Sequence, residues 1–143
     1  MQDRKYSDIT GLIIKSAIDV HKFLGCGFLE EVYHKALFKE LLFNKLTFVS
    51  KPEISVYYKD NTLLGIFYPD FIVGGKIIIE IKAAEGICDE YIAQTLNYLK
   101  AANLELAILI NFGATSLQVK RLINKYFDPN VSSFENFSTD LAD

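Results

Sequence analysis

The most constraining feature of the sequence is an isoleucine-rich run from Lys76 to Lys82 that carries Glu80 near its end. A strand this hydrophobic is typical of a strand covered on both faces, as in α/β proteins. Because side chains alternate between the faces of a strand, Glu80 and Lys82 are expected to project from the same face. Two ionised groups are costly to bury unless they pair or bind something. This strand is therefore the first place to look for a functional site.

A second carboxylate is expected to lie opposite this strand. Gly74 and Gly75 separate it from an earlier predicted strand at residues 63–73, and a Gly-Gly pair between two apolar runs predicts a tight hairpin with positive φ at both glycines. With this turn as the hinge, Asp70 pairs near residues 79 and 80. The carboxylates of Asp70 and Glu80 can then converge.

Two converging carboxylates suit a hard divalent cation such as Mg²⁺, and the backbone carbonyl between Glu80 and Lys82 could add a ligand. Lys82 beside the cation can orient or help deprotonate a water molecule and can stabilise charge on a phosphate. These parts together serve hydrolysis of a phosphodiester. The alternative is a purely structural ion pair in the buried strand, although such pairs rarely stabilise a protein more than apolar packing does.

Two further pairs of polar residues have helical spacing. Glu30 and Tyr33 are three residues apart in the second predicted helix, and Gln94 and Tyr98 are four apart in the third, so each pair shares a helix face. Each pair alone is weak evidence, because a tyrosine is more often a core residue with a hydrated hydroxyl. The two histidines, His21 and His34, lack a partner at a suitable spacing, and we expect surface or packing roles for them.

Hydrophobic periodicity predicts an α/β domain with a mixed sheet and helices on both sides. Ser7 or Asp8 is expected to cap the first helix, which runs to about residue 24 and ends at Gly25. Further helices are predicted at residues 29–43 and from 88 or 89 to 102, and strands at 47–51, 54–58, 63–73, 76–82, 106–111 and 117–123. The predicted inner face of the second helix consists of Leu29, Val32, Tyr33, Ala36, Leu37 and Leu41.

Composition limits the class of protein. No apolar run is long enough to span a bilayer, and the polar first six residues lack a signal-peptide core, so we expect a soluble cytoplasmic protein. Cys26 and Cys88 are far apart in the sequence and are expected to be reduced, partly buried thiols. The net charge is −3, but all 15 Lys and Arg residues precede residue 128. We therefore divide the chain into a domain at residues 1–127 and an acidic tail at 128–143, which Phe134 and Phe137 could tether.

The motifs resemble those of a known family. Residues 27–33 read GFLEEVY and match the G-x-x-E-x-x-Y signature of a small prokaryotic family that is placed in the PD-(D/E)XK nuclease-like superfamily. Pro69 and Asp70 with the EIK of residues 80–82 resemble the PD-(D/E)XK motif itself. Residues 94–98 (QTLNY) resemble a Q-x-x-x-Y element that follows the lysine in many members, and residues 109–113 (LINFG) resemble a further segment of the family.

The resemblance implies a restriction-endonuclease-like fold, with a mixed four-stranded core sheet, flanking helices and extra strands. It implies Asp70 and Glu80 as metal ligands for Mg²⁺ or Mn²⁺ and Lys82 as the catalytic lysine. Glu30 would be an accessory acid that reaches the metal, and Gln94 would support the site. For Tyr33 and Tyr98 we expect substrate contacts or supporting roles.

These observations predict a metal-dependent nuclease that hydrolyses nucleic-acid phosphodiester bonds, with DNA favoured over RNA. The alternative is a non-catalytic module that binds nucleic acid or protein on a nuclease fold, which the acidic net charge modestly favours. A chain of 143 residues has little surface beyond its core with which to recognise a long site, so we expect a homodimer or a partner protein. No membrane association is expected.

Overall fold

The computed structural model describes residues 6–134 of the chain. Its elements, in chain order, are α1 (Ser7–Leu24), α2 (Glu30–Phe43), β1 (Phe48–Ser50), β2 (Ile54–Tyr57), β3 (Leu63–Phe67), β4 (Phe71–Val73), β5 (Ile77–Lys82), α3 (Asp89–Ala102), β6 (Leu106–Asn111) and β7 (Gln118–Ile123). Five strands form one sheet in the order β1-β4-β5-β6-β7, and β2 pairs with β3 in a separate hairpin. The predicted mixed α/β fold is confirmed, with one strand more in the main sheet than the four expected for the core.

The isoleucine-rich strand β5 lies at the centre of the main sheet and is covered on both faces, as predicted. It runs parallel to β6 and antiparallel to β4. Ile77, Ile79 and Ile81 pack into the core beneath α1 and α2, whereas Ile78 packs into a second core beneath α3. Each buried isoleucine side chain stabilises the fold by about 2 kcal/mol relative to exposure.

The hairpin between β4 and β5 follows the predicted register. Gly74 and Gly75 have φ angles of 61° and 68°, the positive values that a residue with a Cβ rarely adopts. Phe71 pairs with Ile79, so the residue before Phe71 faces Glu80 across the two strands. The turn therefore sets the relative position of the two candidate carboxylates.

The predicted strand at residues 63–73 is wrong in one respect, because it is two strands that belong to different sheets. β3 ends at Phe67 and β4 begins at Phe71. Pro69, which has no N–H to donate to a strand partner, lies in the break. Asp70 consequently stands just before β4, and its backbone N–H points to a side chain instead of a sheet partner.

The inner face of α2 differs from the predicted one. Leu29 is 82% exposed and Val32 is 39% exposed, while His34 is buried. The buried residues of the helix are Tyr33, His34, Leu37 and Leu41. The prediction did not include His34 in the buried face, because hydropathy alone counts Leu29 and Val32, at the start of the helix, as core residues.

Several smaller predictions have mixed outcomes. α1 begins at Ser7, but neither Ser7 nor Asp8 caps it, since Tyr6 occupies the cap position without a side-chain cap bond. Gly25 ends the helix with the expected positive φ of 69°, but its ψ of −168° lies outside the left-handed helical conformation predicted for it. Cys26 and Cys88 are free thiols, but both are exposed and not partly buried.

Within residues 6–134, no helix is long and apolar enough to cross a membrane.

The first part of the predicted tail packs against α3. The Asn103 side chain donates to the carbonyls of Asp128 and Val131, and the Phe134 N–H donates to the Ala102 carbonyl at 2.8 Å. Phe137, the other predicted tether, lies outside the described residues. The division of the chain at residue 127 therefore stays a prediction.

Candidate active site

The two carboxylates of the β4–β5 hairpin come together as predicted. Glu80 Oε1 accepts a hydrogen bond from the Asp70 backbone N–H at 3.3 Å, and Asp70 Oδ2 accepts one from the Ile81 N–H at 2.8 Å. Each carboxylate is thus bonded to the opposite strand. The arrangement places two carboxyl groups side by side at one end of the hairpin.

Glu80 is held in an environment that disfavours its charge. The side chain is buried, and this burial, followed by the charge of Asp70, raises the pKa of Glu80 to about 8, although the charge of Lys82 acts in the opposite direction. Desolvation and a neighbouring like charge both favour the protonated carboxyl. Without a cation, this environment therefore favours the protonated form of Glu80.

Lys82 lies on the same side of β5 as Glu80, and α3 supplies its partners. Its ammonium donates to Gln94 Oε1 at 2.7 Å and stands 3.7 Å from Glu80 Oε2. The ammonium also lies 4.8 Å from the centre of the Tyr91 ring, a distance suited to a cation–π contact. The structure thus brings Gln94 and Lys82 together, as the sequence predicted.

Tyr98 also lies close to the carboxylates. Burial, and then the negative charges of Glu80 and Asp70, raise the pKa of Tyr98 to about 12. Tyr98 lies one helical turn after Gln94, on the face of α3 that covers this end of the sheet. Its hydroxyl is therefore a proton donor and not a phenolate near the site.

Tyr33 is not part of this cluster. Its ring is fully buried and stacks on Phe112 with the centroids 4.8 Å apart. Its hydroxyl donates to the Gly25 carbonyl at 2.6 Å and accepts from the Phe28 N–H at 3.2 Å. The tyrosine therefore fastens the glycine-containing turn between α1 and α2, just ahead of Glu30.

Glu30 is exposed at the first position of α2, and the structure does not gather it with the two hairpin carboxylates. Across residues 6–134, no three side chains of the His, Cys, Asp or Glu type form a group able to hold a metal ion. Glu30 is four residues before His34 and so shares its helix face. Of the three predicted metal ligands, only Asp70 and Glu80 are adjacent.

His34 is the residue of this site that sequence reasoning missed. Its Nδ1 lies 2.8 Å from Asp70 Oδ1, and its Nε2 lies 2.9 Å from Ser50 Oγ. The expected packing role is confirmed, since the ring is buried and stacks on Phe71, but its two specific polar partners were not predicted. The spacing of four residues from Glu30 was the one available signal. His21, in contrast, contacts the Ala114 carbonyl at 3.0 Å and lies outside the cluster.

A buried asparagine fixes the backbone where β5 ends. Asn111 Oδ1 accepts from the Ala84 and Gly113 N–H groups, and its Nδ2 donates to the Ala84 carbonyl and to Gln118. The Phe112 N–H also donates to the Lys82 carbonyl at 2.9 Å. These bonds bind the chain that follows the candidate lysine to the end of β6, so the lysine projects from a rigid strand.

Gly113→Ala should destabilise the protein by about 2 kcal/mol or more, because a Cβ there would collide with the backbone of Ala83 and Ala84. Urea unfolding monitored by circular dichroism measures the change. Gly86→Ala is the matched control, since a Cβ at Gly86 has no neighbouring atom within 4 Å. Equal stability of the two variants would contradict the close approach.

Comparison with known proteins gives one match. A family model described as the PD-(D/E)XK nuclease superfamily matches residues 7–122, which is most of the chain. The chain therefore belongs to the PD-(D/E)XK nuclease superfamily. No curated protein and no solved structure matches it significantly. The similarity to the G-x-x-E-x-x-Y family within this superfamily stays a prediction.

Proposed function

We propose that this protein is a metal-dependent nuclease that hydrolyses phosphodiester bonds in nucleic acid. The observation that carries the proposal is the pairing of Asp70 with Glu80 beside Lys82 in a member of a nuclease superfamily. A carboxylate pair with a lysine at its edge can bind a cation and face a charged phosphate. A merely structural ion pair would not require a second carboxylate.

The donor set fits a hard divalent cation. Asp70 and Glu80 offer carboxylate oxygens, and the Ile81 carbonyl is a candidate third oxygen on the same strand. Mg²⁺ prefers oxygen ligands, keeps several waters and is often bound through only one or two carboxylates together with substrate phosphates. Burial and the Asp70 charge make ionised Glu80 unfavourable in the metal-free protein, and a cation would offset both effects. Glu30 would act through water from α2.

When bound, Mg²⁺ or Mn²⁺ would supply Lewis-acid stabilisation of the charge that develops on the phosphate. Lys82 would direct its ammonium towards the attacking water and the phosphate oxygens. Gln94 holds that ammonium at 2.7 Å and thereby limits its positions. Tyr98 closes the α3 side of the site and offers a hydroxyl proton to the substrate or to the carboxylates.

The proposed substrate is DNA in preference to RNA, and the proposed assembly is a homodimer acting in the cytoplasm. A small domain offers more surface to nucleic acid when two copies meet. The non-catalytic alternative makes a different prediction, namely salt-dependent binding of nucleic acid without cleavage.

Asp70→Asn should abolish cleavage and weaken Mn²⁺ binding by at least about tenfold, because it removes a charged ligand from the pair. The test incubates end-labelled single- and double-stranded DNA and RNA with Mg²⁺ or Mn²⁺ and measures Mn²⁺ affinity by calorimetry. Asp19→Asn, which disrupts only an exposed ion pair on α1, is the control. Cleavage and affinity equal to wild type in Asp70→Asn would overturn the assignment. Binding of nucleic acid without cleavage by the wild type would support the alternative.

A further inference from the structure

We propose that His34 is a positioning residue that holds the Asp70 carboxylate in the orientation in which it binds the cation. The inference rests on the proposed function and adds a part to that site. It follows from three features of the structure: the two bonds of Asp70, the fixed plane of the imidazole, and the use of both ring nitrogens.

The Asp70 carboxylate depends on two hydrogen bonds for its orientation. Asp70 stands before the first residue of β4. Its carbonyl accepts from the Lys51 N–H at 2.7 Å, but its own N–H points to the Glu80 side chain, and its side chain is 19% exposed. Oδ2 is fixed by the Ile81 N–H, and Oδ1 is fixed by His34 at 2.8 Å. A carboxylate with one anchor can rotate about that bond, whereas two anchors on its two oxygens define its plane.

The imidazole that provides the second anchor is itself rigid. It is buried, and its ring stacks on Phe71 with the centroids 4.2 Å apart and the planes inclined by 7°. Ser50 on β1 contacts its Nε2 at 2.9 Å. α2, β1 and β4 therefore fix the position, tilt and rotation of the ring.

The hydrogen-bond chemistry assigns the direction of each contact. An ionised carboxylate can only accept, so the proton lies on Nδ1 and is donated to Asp70. In the neutral ring, Nε2 then accepts from the Ser50 hydroxyl. Both nitrogens are engaged, so the histidine acts on the cation through Asp70 and not as a ligand. Partners that orient a metal ligand in this way typically change metal affinity 10- to 100-fold when they are lost.

The arrangement also explains why α2 lies against the hairpin. The charge-assisted bond from His34 to Asp70 connects the N-terminal half of the helix to the hairpin end. Glu30 is one turn earlier on the same face. The same contact that orients Asp70 thus also fixes the position of α2, the helix from which Glu30 would approach the site.

The test compares His34→Leu, His34→Asn and Ser50→Ala with the wild type. His34→Leu removes both bonds, and His34→Asn keeps an N–H donor near the position of Nδ1. Ser50→Ala removes the hydroxyl that contacts Nε2 and leaves the bond between His34 and Asp70. Calorimetry with MnCl₂ alone should give a Kd about tenfold higher for His34→Leu, about threefold higher for Ser50→Ala, and substantial recovery for His34→Asn. The half-saturating Mn²⁺ concentration for cleavage should rise by the same factors, while kcat at saturating Mn²⁺ stays within about threefold.

If His34 had only a structural role, its substitution would lower the free energy of unfolding without this graded loss of Mn²⁺ affinity. Folded His34→Leu with the wild-type Kd would overturn the inference. If His34→Leu does not fold, an unchanged Kd in Ser50→Ala would overturn it instead. Mn²⁺ binding without cleavage by the wild type would refute the proposed function but leave the affinity test of His34 intact, whereas a wild type that binds no Mn²⁺ would refute both.

Discussion

Lys82→Met should lower the rate of nucleic-acid cleavage about 1,000-fold while leaving Mn²⁺ affinity within about threefold of wild type. The variant keeps the aliphatic stem of the side chain and both carboxylates, but it removes the ammonium that Gln94 directs into the site. Loss of a positioned proton-transfer or charge-stabilising group costs typically 10²- to 10⁴-fold in rate. Single-turnover cleavage at saturating Mn²⁺ measures the chemical step, and calorimetry measures the affinity.

Lys76→Met is the matched control for this experiment. Lys76 lies on the same hairpin, just before β5, but it is exposed and directed towards Tyr6, away from Gln94. We expect cleavage by Lys76→Met within about twofold of wild type. Equal rates for the two methionine variants would mean that Lys82 does not take part in the reaction.

Glu80→Gln should remove most of the pH dependence of stability of the metal-free protein. An unperturbed glutamate carboxyl has a pKa of 4.5, and the fold raises the pKa of Glu80 to about 8. Between these two pH values the folded state therefore binds more protons than the unfolded state. Stability must then fall as pH rises from about 4.5 to about 8, at a rate approaching 1.4 kcal/mol per pH unit in mid-range. Glutamine resembles the protonated carboxyl and avoids this cost.

The measurement is urea unfolding in chelator at several values between pH 5 and pH 8. Glu80→Gln is expected to be more stable than wild type at pH 8 and close to it at pH 5. Glu85→Gln, at an exposed position in the loop after β5, should keep the wild-type slope. A Glu80→Gln variant that is less stable at every pH would favour a purely structural ion pair.

The hairpin half of the site was predictable because its geometry is local. A Gly-Gly turn fixes the register between neighbouring strands, so the opposition of Asp70 and Glu80 follows from counting residues along the chain. The two-residue period places Lys82 beside Glu80 in the same way. These relations need no knowledge of the tertiary fold.

The His34 contact was not predictable, because it depends on how α2 rotates against the sheet. Leu29 and Val32 look like core residues by hydropathy, yet the packed helix exposes them and buries the histidine. Burial of His34 becomes favourable only when Asp70 and Ser50 supply partners, and both come from distant segments. Likewise, the role of Asn111 was not predictable, because its hydrogen bonds to Ala84 depend on where the loop after β5 lies.

The break at Pro69 is a third feature that was not predicted from the sequence. Apolar residues lie on both sides of Pro69 and Asp70, so hydropathy alone joined β3 and β4 into one predicted strand. Pro69 was the available signal, because it removes a donor from a ladder. Beside the break, the Asp70 N–H bonds to the Glu80 side chain and not to a strand partner, and in the proposed role His34 supplies one of the two anchors of the Asp70 carboxylate.

The most direct test of the account is a crystal of the wild-type protein soaked in MnCl₂, with diffraction recorded at a wavelength where manganese scatters anomalously. One anomalous peak is expected between the carboxylates of Asp70 and Glu80, within about 2.5 Å of an oxygen of each. A matching soak of Asp70→Asn should lack the peak. Strong manganese density elsewhere, with none between these two carboxylates, would contradict the proposed metal site.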